Sequence, residues 1–343
     1  KTVLSKILVI QSRGLLVTEG ITMDQSAIEA IGLTKHYGTL LAVDDISFRV
    51  GKGEVFGFLG PNGAGKTTTI RMLVGLTSPS EGTAMVAGHS ITDDIVEVKR
   101  RVGVVPEVSN LYDELSVWDN LLFMSQLYHV PKQERRTRIE DILQSFDLQS
   151  RRGMKFGKLS KGLKRRVVIA AALVHSPEIV FMDEPTVGLD VVSSQSLREF
   201  IEQLGNNDTT VFLTTHYIEE ADRLCDRIAI IVQGKIVATD TPAGIKKRVE
   251  TQPLIRAELS SPPKGSLLSK LSELGELEYE GRIINLRVKN PSDSLPLIIN
   301  TVSSEGASVE SLETVRASLE EAFVELTGCS PDVLRAEKGG GRR

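Results

Sequence analysis

Residues 55–68 read VFGFLGPNGAGKTT, an apolar stretch of strand type that runs into a glycine-rich loop. The loop, residues 60–67, fits the pattern G-x-x-x-x-G-K-[ST] in full. Its glycines allow backbone N–H groups to turn inward, and the positive end of a following helix adds to their attraction for phosphate. The stretch therefore predicts a strand, a phosphate-binding loop and a helix that together hold a nucleoside triphosphate.

The polar side chains of this loop suit a triphosphate with its metal. Lys66 offers a positive charge to the β- and γ-phosphate oxygens, and the Thr67 hydroxyl is a hard oxygen ligand of the kind that Mg²⁺ prefers. An ordinary glycine-rich turn is the alternative, but the loop stands between an apolar strand and a helix start, as the motif requires. The predicted nucleotide-binding residues of the loop are Gly60, Pro61, Asn62, Gly63, Ala64, Gly65, Lys66, Thr67 and Thr68.

A second apolar run, residues 178–184 (EIVFMDE), ends in two acids. Beside a phosphate loop, an acid at a strand end reaches Mg²⁺, and we assign this role to Asp183. Glu184 would then lie next to the γ-phosphate and polarise the attacking water. The alternative is a pair of acids that cap a helix, which the presence of the phosphate loop disfavours.

Short apolar strands between helices fill residues 24–250, a pattern typical of a parallel sheet covered on both faces. The predicted strands are Val55–Leu59, Val102–Val105, Ile179–Met182, Thr210–Thr214 and Ile228–Val232. Residues 251–330 follow the order β-α-β-β-α-β, which indicates a small α+β domain of ferredoxin-like type. A last helix, opened by a capping box at Ser318–Glu321 and closed by Gly328, completes this segment.

The chain therefore divides into two predicted domains, 23–250 and 251–330, with a terminal segment on each side. Residues 1–22 show no clean periodicity, and we expect a disordered extension there, with Met23 as the true start. The segment 331–343, which ends in GGGRR, is expected to be a flexible tail.

Composition restricts the class of protein. The 343 residues include 41 Lys and Arg against 45 Asp and Glu, with 41% hydrophobic residues, as in an ordinary globular protein. The balanced charge gives no support for a nucleic-acid partner, and two cysteines are too few for a disulfide framework or a cysteine-rich zinc site. The longest wholly apolar run, 167–174, is far shorter than the roughly 20 residues of a bilayer crossing, so a membrane role would need a partner protein.

Further motifs stand in a set order around the phosphate loop: Tyr37, the segment 159–163 (LSKGL), the segment 185–190 (PTVGLD) and the segment 214–216 (TTH). With these motifs, residues 27–240 resemble the nucleotide-binding subunits of ABC transporters. The resemblance implies an α/β P-loop NTPase of the ABC type that binds and hydrolyses ATP with Mg²⁺. It also implies a helical subdomain, at about residues 108–158, that contacts a membrane partner.

The resemblance implies how the motifs within one subunit work. Tyr37 would stack on adenine through its flat ring. His216 would hydrogen-bond the γ-phosphate and orient Glu184, so Glu184 and His216 are the predicted catalytic residues. The predicted Mg²⁺ ligands are Thr67, Glu107 and Asp183.

The same resemblance implies a dimer. In the family, the signature segment at a helix start contacts the γ-phosphate of ATP held by the other subunit, since helix N-termini attract anions. Ser160, Lys161 and Gly162 would act in this way, and Asp190 of the D-loop would reach the partner's phosphate loop while it also caps a helix. Because each motif is present once, a complete site needs a second ATPase subunit, which we expect to be a second copy of this chain.

The sequence departs from the usual family pattern at three places. Lys161 replaces a glycine and Leu163 a glutamine of the signature Leu-Ser-Gly-Gly-Gln, and Glu107 stands where the family commonly has glutamine. A carboxylate can reach Mg²⁺ or its water, but it cannot donate a hydrogen bond as an amide does. Glu107, the stretch 53–60 and the final helix at 318–323 are similar to those of ABC-2 type exporters, including drug-resistance ATPases.

We therefore expect the ATP-hydrolysing subunit of an ABC-2 type exporter, bound to an integral membrane permease at the cytoplasmic face of the cell membrane. Two alternatives stay open at this point: a non-transport ABC ATPase of DNA repair or the ribosome, and a regulatory module that binds ATP without turnover. The first class usually has two cassettes, long coiled coils or zinc sites, which this sequence does not show. Intact Lys66, Asp183 and Glu184 argue against the second.

Overall fold

The computed structural model of the protein describes residues 26–206, 209–249, 253–315 and 317–330. The expected extension at 1–22, the start at Met23 and the expected tail at 331–343 lie outside the described residues. The strands up to residue 240 are β1 (Ser26–Tyr37), β2 (Leu40–Gly51), β3 (Val55–Leu59), β4 (Glu81–Val86), β5 (His89–Ser90), β6 (Val102–Val105), β7 (Ile179–Asp183), β8 (Thr210–Thr215), β9 (Arg227–Val232) and β10 (Lys235–Asp240). The helices up to residue 249 are α1 (Lys66–Leu73), α2 (Ile95–Arg101), α3 (Val117–Leu127), α4 (Arg135–Ser145), α5 (Lys161–Leu173), α6 (Val191–Asn206), α7 (Ile218–Leu224) and α8 (Pro242–Val249).

A six-stranded sheet carries the phosphate loop. Its strand order is β10-β9-β3-β8-β7-β6, and all neighbours pair in parallel except β10, which runs antiparallel to β9. The five strands predicted from apolar runs form the parallel part of this sheet and are thereby confirmed. Because β3, β8 and β7 are neighbours, their carboxyl ends bring the phosphate loop, the histidine segment and the two acids to one edge.

A second sheet, which the sequence analysis did not predict, has four antiparallel strands in the order β2-β1-β4-β5. It packs on the first sheet through aromatic rings: the ring centre of Phe48 in β2 lies 5.1 Å from that of Phe58 and 5.9 Å from that of Phe212. Irregular register and exposed residues interrupt the alternation in β1, and β2 alternates cleanly only over residues 46–50, so the period of two is short in this sheet. The parallel sheet alone was therefore an incomplete prediction for residues 24–250.

The segment predicted as a helical subdomain, residues 108–158, contains α3, α4 and two short 3₁₀ turns. Ser116 opens α3, because its hydroxyl accepts a hydrogen bond from the backbone N–H of Asp119. The apolar faces of both helices are buried in the same core as α5. The buried residues are Val117, Leu121, Met124, Ile139, Leu143, Phe146, Leu148 and Phe156. Most apolar side chains of the segment therefore stabilise the subdomain itself.

An aromatic contact joins this subdomain to the central sheet. The ring of Tyr128 stacks on that of His175, with 3.8 Å between ring centres. His175 Nε2 donates a hydrogen bond to the carbonyl oxygen of Val102, at the start of β6, over 3.1 Å. Burial lowers the pKa of His175 to about 4, so its imidazole is neutral at pH 7.

Residues 254–315 form a third sheet with a core of its own. Its elements are β11 (Leu254–Leu259), α9 (Gly265–Ser272), β12 (Glu276–Glu280), β13 (Ile283–Arg287), α10 (Pro291–Ser304) and β14 (Val309–Val315). All strand pairs are antiparallel, in the order β12-β13-β11-β14, and α9 and α10 pack on one face. The element order along the chain is the one that the sequence predicts.

The last helix among the described residues, α11 (Leu319–Thr327), does not pack on the third sheet. Its capping box is present, because Ser318 Oγ accepts from the backbone N–H of Glu321 and the Glu321 carboxylate accepts from the backbone N–H of Ser318. The helix lies against α7, α8 and β10, and its apolar residues join the core of the first domain. The buried residues of this face are Leu319, Ala322 and Phe323. A helix assigned by sequence to the C-terminal domain thus packs with the first one.

Replacement of Phe323 by alanine tests this packing. The Phe323 side chain is fully buried, so we expect Phe323→Ala to lower the free energy of unfolding of the first domain by about 3–5 kcal/mol. The single tryptophan, Trp118, lies in α3, and its fluorescence during urea unfolding reports the change. Phe123→Ala is the matched control, because Phe123 is 38% exposed. Equal losses in the two variants would contradict the assignment.

The low pKa of buried His175 should make the protein less stable in acid. Its imidazole takes up a proton near the ordinary value of 6.5 when unfolded but only near about 4 when folded. Between these values the unfolded chain binds more protons, so the free energy of unfolding falls as the pH drops from about 6.5 to about 4. His175→Phe keeps a ring for the stack on Tyr128 and should reduce this fall. Urea unfolding at several pH values measures it; an unchanged pH dependence would argue against the buried neutral imidazole.

Candidate nucleotide-binding site

The phosphate loop joins β3 to α1 in a conformation that requires glycine. Gly65 has a φ of 105°, and a Cβ placed there would lie 2.6 Å from the carbonyl oxygen of Ala42. A Cβ at Gly60 would overlap the carbonyl oxygen of Ile231. The loop is thus a backbone cradle that ends at the start of a helix, where N–H donors and the helix dipole favour an anion.

Lys66 points into this cradle and is almost fully buried. Its Nζ donates hydrogen bonds to the carbonyl oxygens of Gly60 at 2.6 Å and Pro61 at 3.1 Å. The same Nζ lies 3.0 Å from Glu184 Oε1, and the two side chains are only 5% and 7% exposed. A buried ion pair therefore connects the phosphate loop to the residue that follows β7.

Glu184 is held by contacts to its backbone and to its carboxylate. Its φ of 49° lies in the left-handed region, and its N–H donates to Thr214 Oγ1 over 3.0 Å. His216 Nδ1 lies 2.8 Å from the other carboxylate oxygen, Oε2. Burial acts to raise the pKa of Glu184, but the hydrogen bond from His216 and the charge of Lys66 outweigh it, so the pKa lies below its ordinary value. The carboxylate is therefore ionised at neutral pH and can accept a proton.

The hydroxyl and the carboxylate predicted to bind the metal lie side by side. Thr67 Oγ1 donates to Asp183 Oδ1 over 3.1 Å, and Thr214 Oγ1 donates to the same oxygen over 2.7 Å. These hard oxygens fit Mg²⁺, which takes few protein ligands and keeps waters and phosphate oxygens. Glu107 is exposed in the segment after β6. In the part of the chain that the structure describes, no three His, Cys, Asp or Glu side chains cluster as metal ligands.

Tyr37 lies at the end of β1, in the hairpin that reaches the phosphate loop. It pairs with Leu40 across the turn, and the carbonyl oxygen of Ala42 approaches Gly65 of the loop. The Tyr37 ring is 43% exposed, and Lys35 Nζ lies 5.2 Å from its centre. An exposed aromatic ring on the strand hairpin that approaches the phosphate loop at Ala42 is suited to stacking on a base.

The signature segment opens α5. Ser160 is the N-cap, since its Oγ accepts from the backbone N–H of Leu163 over 3.4 Å. Lys161 is exposed at the helix start. Gly162 is buried, and a Cβ there would overlap Ser193 Oγ in the first turn of α6. Close approach of the two helix starts therefore explains why glycine stands at residue 162.

Asp190 caps the neighbouring helix, α6. Its Oδ1 accepts from the backbone N–H of Ser193 over 2.9 Å, and its Oδ2 accepts from Ser193 Oγ over 2.8 Å. These hydrogen bonds lower the pKa of Asp190. The next residues, Val191 and Val192, are 86% and 75% exposed. Asp190 thus has the helix-capping contact that the sequence analysis gave as one of its two roles.

The structure groups the predicted residues into two neighbouring clusters and adds residues that were missed. One cluster is Lys66, Glu184 and His216, and the other is Thr67 with Asp183. Thr214 was missed as a functional residue although it stands in the quoted TTH segment; its hydroxyl contacts both acids. Arg165 was also missed. Its guanidinium donates to the backbone carbonyls of both acids, and nothing in a run of basic residues shows which one is buried.

Sequence comparison identifies relatives along most of the chain. The ABC transporter family profile matches residues 43–187. The daunorubicin resistance ATP-binding protein DrrA2 of Streptomyces coeruleorubidus is 37% identical over 311 residues, which cover 89% of this chain and 96% of that protein. The linearmycin resistance ATP-binding protein LnrL of Bacillus subtilis (strain 168) is 35% identical, with coverage of 88% and 98%.

Solved structures agree with this fold. The structure of an ATP-binding subunit of an ABC transporter has a TM-score of 0.60 and 30% identity, and the match covers 65% of this chain and 92% of that one. The dimeric, post-hydrolysis structure of the ATP-binding cassette MJ0796 with ADP and Pi has a TM-score of 0.58 and 25% identity, with coverage of 62% and 98%. Fold and site together define an ABC-type ATPase that binds ATP. The chain belongs to the ABC transporter family, among its ATP-binding proteins, and its activity is ATP hydrolysis.

The contact between Gly162 and Ser193 gives a test of the signature geometry. Gly162→Ala should lower the free energy of unfolding by about 1–3 kcal/mol, because the new methyl group overlaps Ser193. Ser193→Gly should recover part of this loss, and a double-mutant cycle by urea unfolding should show a coupling of about 0.5–3 kcal/mol. Gly153→Ala is the matched control, since a Cβ there meets nothing within 4 Å. Fully additive losses would show that the helix starts do not touch.

Proposed function

We propose that the protein is the ATP-hydrolysing subunit of an ABC-2 type exporter and drives a separate integral membrane permease from the cytoplasmic face of the cell membrane. At the site, the proposal depends on the buried cluster of Lys66, Glu184 and His216 beside the phosphate loop. Export is supported by relatives of nearly full length, which are named for daunorubicin resistance, linearmycin resistance and, in Burkholderia orbicola (strain AU 1054), Nod factor export. Of the described helices, none has the length and apolar character needed to cross a bilayer.

The proposed reaction begins with exchange of the partner of Lys66. A triphosphate in the cradle offers oxygens to Lys66 Nζ, which then no longer has Glu184 as its sole anionic partner. The Glu184 carboxylate then accepts a proton from the water whose oxygen bonds to the γ-phosphorus. The bond from that phosphorus to the β–γ bridging oxygen breaks at the same time, and ADP leaves. His216, which contacts Glu184 Oε2, holds the carboxylate in place and contacts the γ-phosphate. Tyr37 stacks on adenine, and the loop residues 60–68 hold the phosphates.

We propose Mg²⁺ as the metal of this site, with Thr67 as its direct protein ligand and Asp183 as its support. The proposal is supported by the two oxygen-bearing side chains in mutual contact. Bound Mg²⁺ would neutralise charge on the phosphate oxygens. Glu107, as the acid in the place of the family's usual glutamine, is the third proposed ligand, and its exposure leaves it accessible to a bound nucleotide complex.

The proposed working unit is a dimer of this chain. Each motif is present once, and the start of α5, with Ser160, Lys161 and Gly162, faces the γ-phosphate of ATP on the partner subunit. Asp190 reaches towards the partner's phosphate loop from the cap of α6. The exposed pair Val191 and Val192 supports an interface at this helix start, because apolar side chains at such exposure lose contact with water on association.

We further propose a domain assignment: an ATPase domain at 23–250 with its helical subdomain at about 108–158, and an accessory domain within 251–330. The β-α-β-β-α-β order and the strand order β12-β13-β11-β14 support a ferredoxin-like accessory fold. The helical subdomain is the proposed contact with the permease. Nucleic acid is not a proposed partner, because Lys and Arg number 41 against 45 acids.

Substitutions of the two ion-pair residues separate binding from hydrolysis. We expect Glu184→Gln to keep ATP affinity, to lower the hydrolysis rate by about 10²–10⁴-fold and to accumulate an ATP-bound dimer with Mg²⁺.

Lys66→Ala should lose ATP binding, because the cradle then has no side-chain cation. Nucleotide titration, phosphate release and size-exclusion chromatography measure these effects. Glu178→Gln is the control and should leave the activity unchanged, because Glu178 is an exposed acid that comes directly before β7, at the end of the strand away from Glu184. A Glu184→Gln variant that stays monomeric or turns over normally would refute the proposal.

A further inference from the structure

A buried arginine in the signature helix contacts two other segments of the ATPase domain. Arg165 of α5 is 9% exposed, and its Nε donates to the carbonyl oxygen of Pro185 over 2.8 Å. Its Nη2 donates to the carbonyl oxygens of Asp183 at 3.1 Å and Glu184 at 3.2 Å. Its Nη1 donates to the carbonyl oxygen of Pro106, just after β6. One side chain thus joins the signature helix to the end of β7 and to the segment that carries Glu107.

The chemistry of these contacts requires a guanidinium. All four hydrogen bonds of Arg165 go to backbone carbonyls, and three of the carbonyls belong to consecutive residues, 183–185. A guanidinium presents about five N–H donors in a rigid planar fork, whereas the lysine ammonium is a compact group with three donors on a flexible stem. Lysine at residue 165 could therefore keep the charge but not the set of contacts.

Arg165 also places a positive charge among the acids of the site. Burial lowers the pKa of Arg165 to about 10, while the charges of Asp183, Glu220, Glu107 and Glu184 act in the opposite direction. The guanidinium therefore stays charged at neutral pH.

The conformation of Glu184 shows why such a support is needed. A non-glycine residue in the left-handed region is strained and persists where its surroundings hold it. The N–H of Glu184 is bound by Thr214 Oγ1, and its carbonyl oxygen is bound by Arg165 Nη2. Each of the two peptide groups that flank the Cα of Glu184 is therefore held by a hydrogen bond, one from β8 and one from α5.

We propose that Arg165 is a positioning residue that holds Glu184 in its productive conformation and couples it to the signature helix. This inference rests on the proposed function, in which the start of α5 contacts ATP on the partner subunit and Glu184 acts on ATP of its own subunit. Arg165 then links the two ATP sites of the dimer through one rigid helix. Movement of α5 on contact with the partner's nucleotide reaches the carbonyl of Glu184 directly.

The test compares Arg165→Lys, Arg165→Met and the control Arg100→Met, which replaces a side chain that is 60% exposed in α2. We expect both Arg165 variants to bind ATP within about threefold of the native affinity and to lower kcat at least tenfold, with a KM change below about threefold. Lysine, which keeps the charge, should lose less activity than methionine but should not restore the native rate. Arg100→Met should behave as the native protein. Native kcat in a folded Arg165→Met variant would overturn the inference.

A double-mutant cycle with Glu184→Gln distinguishes positioning from a general loss of structure. If Arg165 acts through Glu184, Arg165→Met should cause little further loss of kcat in the Glu184→Gln background. A full, multiplicative loss in that background would overturn the inference. Where Arg165→Met does not fold, as judged by thermal unfolding, Arg165→Lys in the same cycle gives the decision. Normal turnover by Glu184→Gln alone would overturn the proposed function as well, whereas native rates in the Arg165 variants alone would overturn only this inference.

Discussion

The ion pair between Lys66 and Glu184 is the interaction on which the rest of the site depends. Both side chains are nearly inaccessible to water, and removal of either charge would leave the other uncompensated in a poorly solvated position. His216 and Thr214 complete the coordination of Glu184, and the carbonyls of the phosphate loop complete that of Lys66. The pair therefore connects the phosphate loop directly to the end of β7 in a region that is nearly closed to water.

The two stacked sheets explain why these groups meet. Three neighbouring parallel strands end at one edge, and each contributes one functional segment there: the loop after β3, the acids after β7 and the histidine segment after β8. The antiparallel sheet supports this edge from the other side, since Ala42 of β2 lies against Gly65. Rigid strands fix the positions, while loops and helix starts supply the donors and acceptors.

The sequence predicts most of what is local in this protein. The phosphate loop, the parallel strands and the element order of residues 254–315 follow from glycine spacing, apolar runs and capping residues. Long-range packing could not be predicted in the same way. β1 lacks a clean alternation, and β2 has one only over residues 46–50. The apolar face of α11 does not show which surface covers it, and a run of basic residues does not show that Arg165 is enclosed by backbone carbonyls. These contacts depend on which surfaces pack together, and the residue pattern of a single sequence carries little information about long-range packing.

The position of α11 has a consequence for the order in which the protein forms. Residues 254–315 build their own core, but the chain then returns to place Phe323 in the core of the first domain, where α11 packs against α7 and α8. During synthesis on the ribosome, the ATPase domain therefore emerges with the surface that α11 covers still exposed to water. This surface stays exposed until α11 has left the exit tunnel. In the sequence, the accessory domain thus lies between two segments that share the ATPase core. Premature termination of translation within it would release an ATPase domain without α11, with an exposed apolar surface that is prone to aggregation.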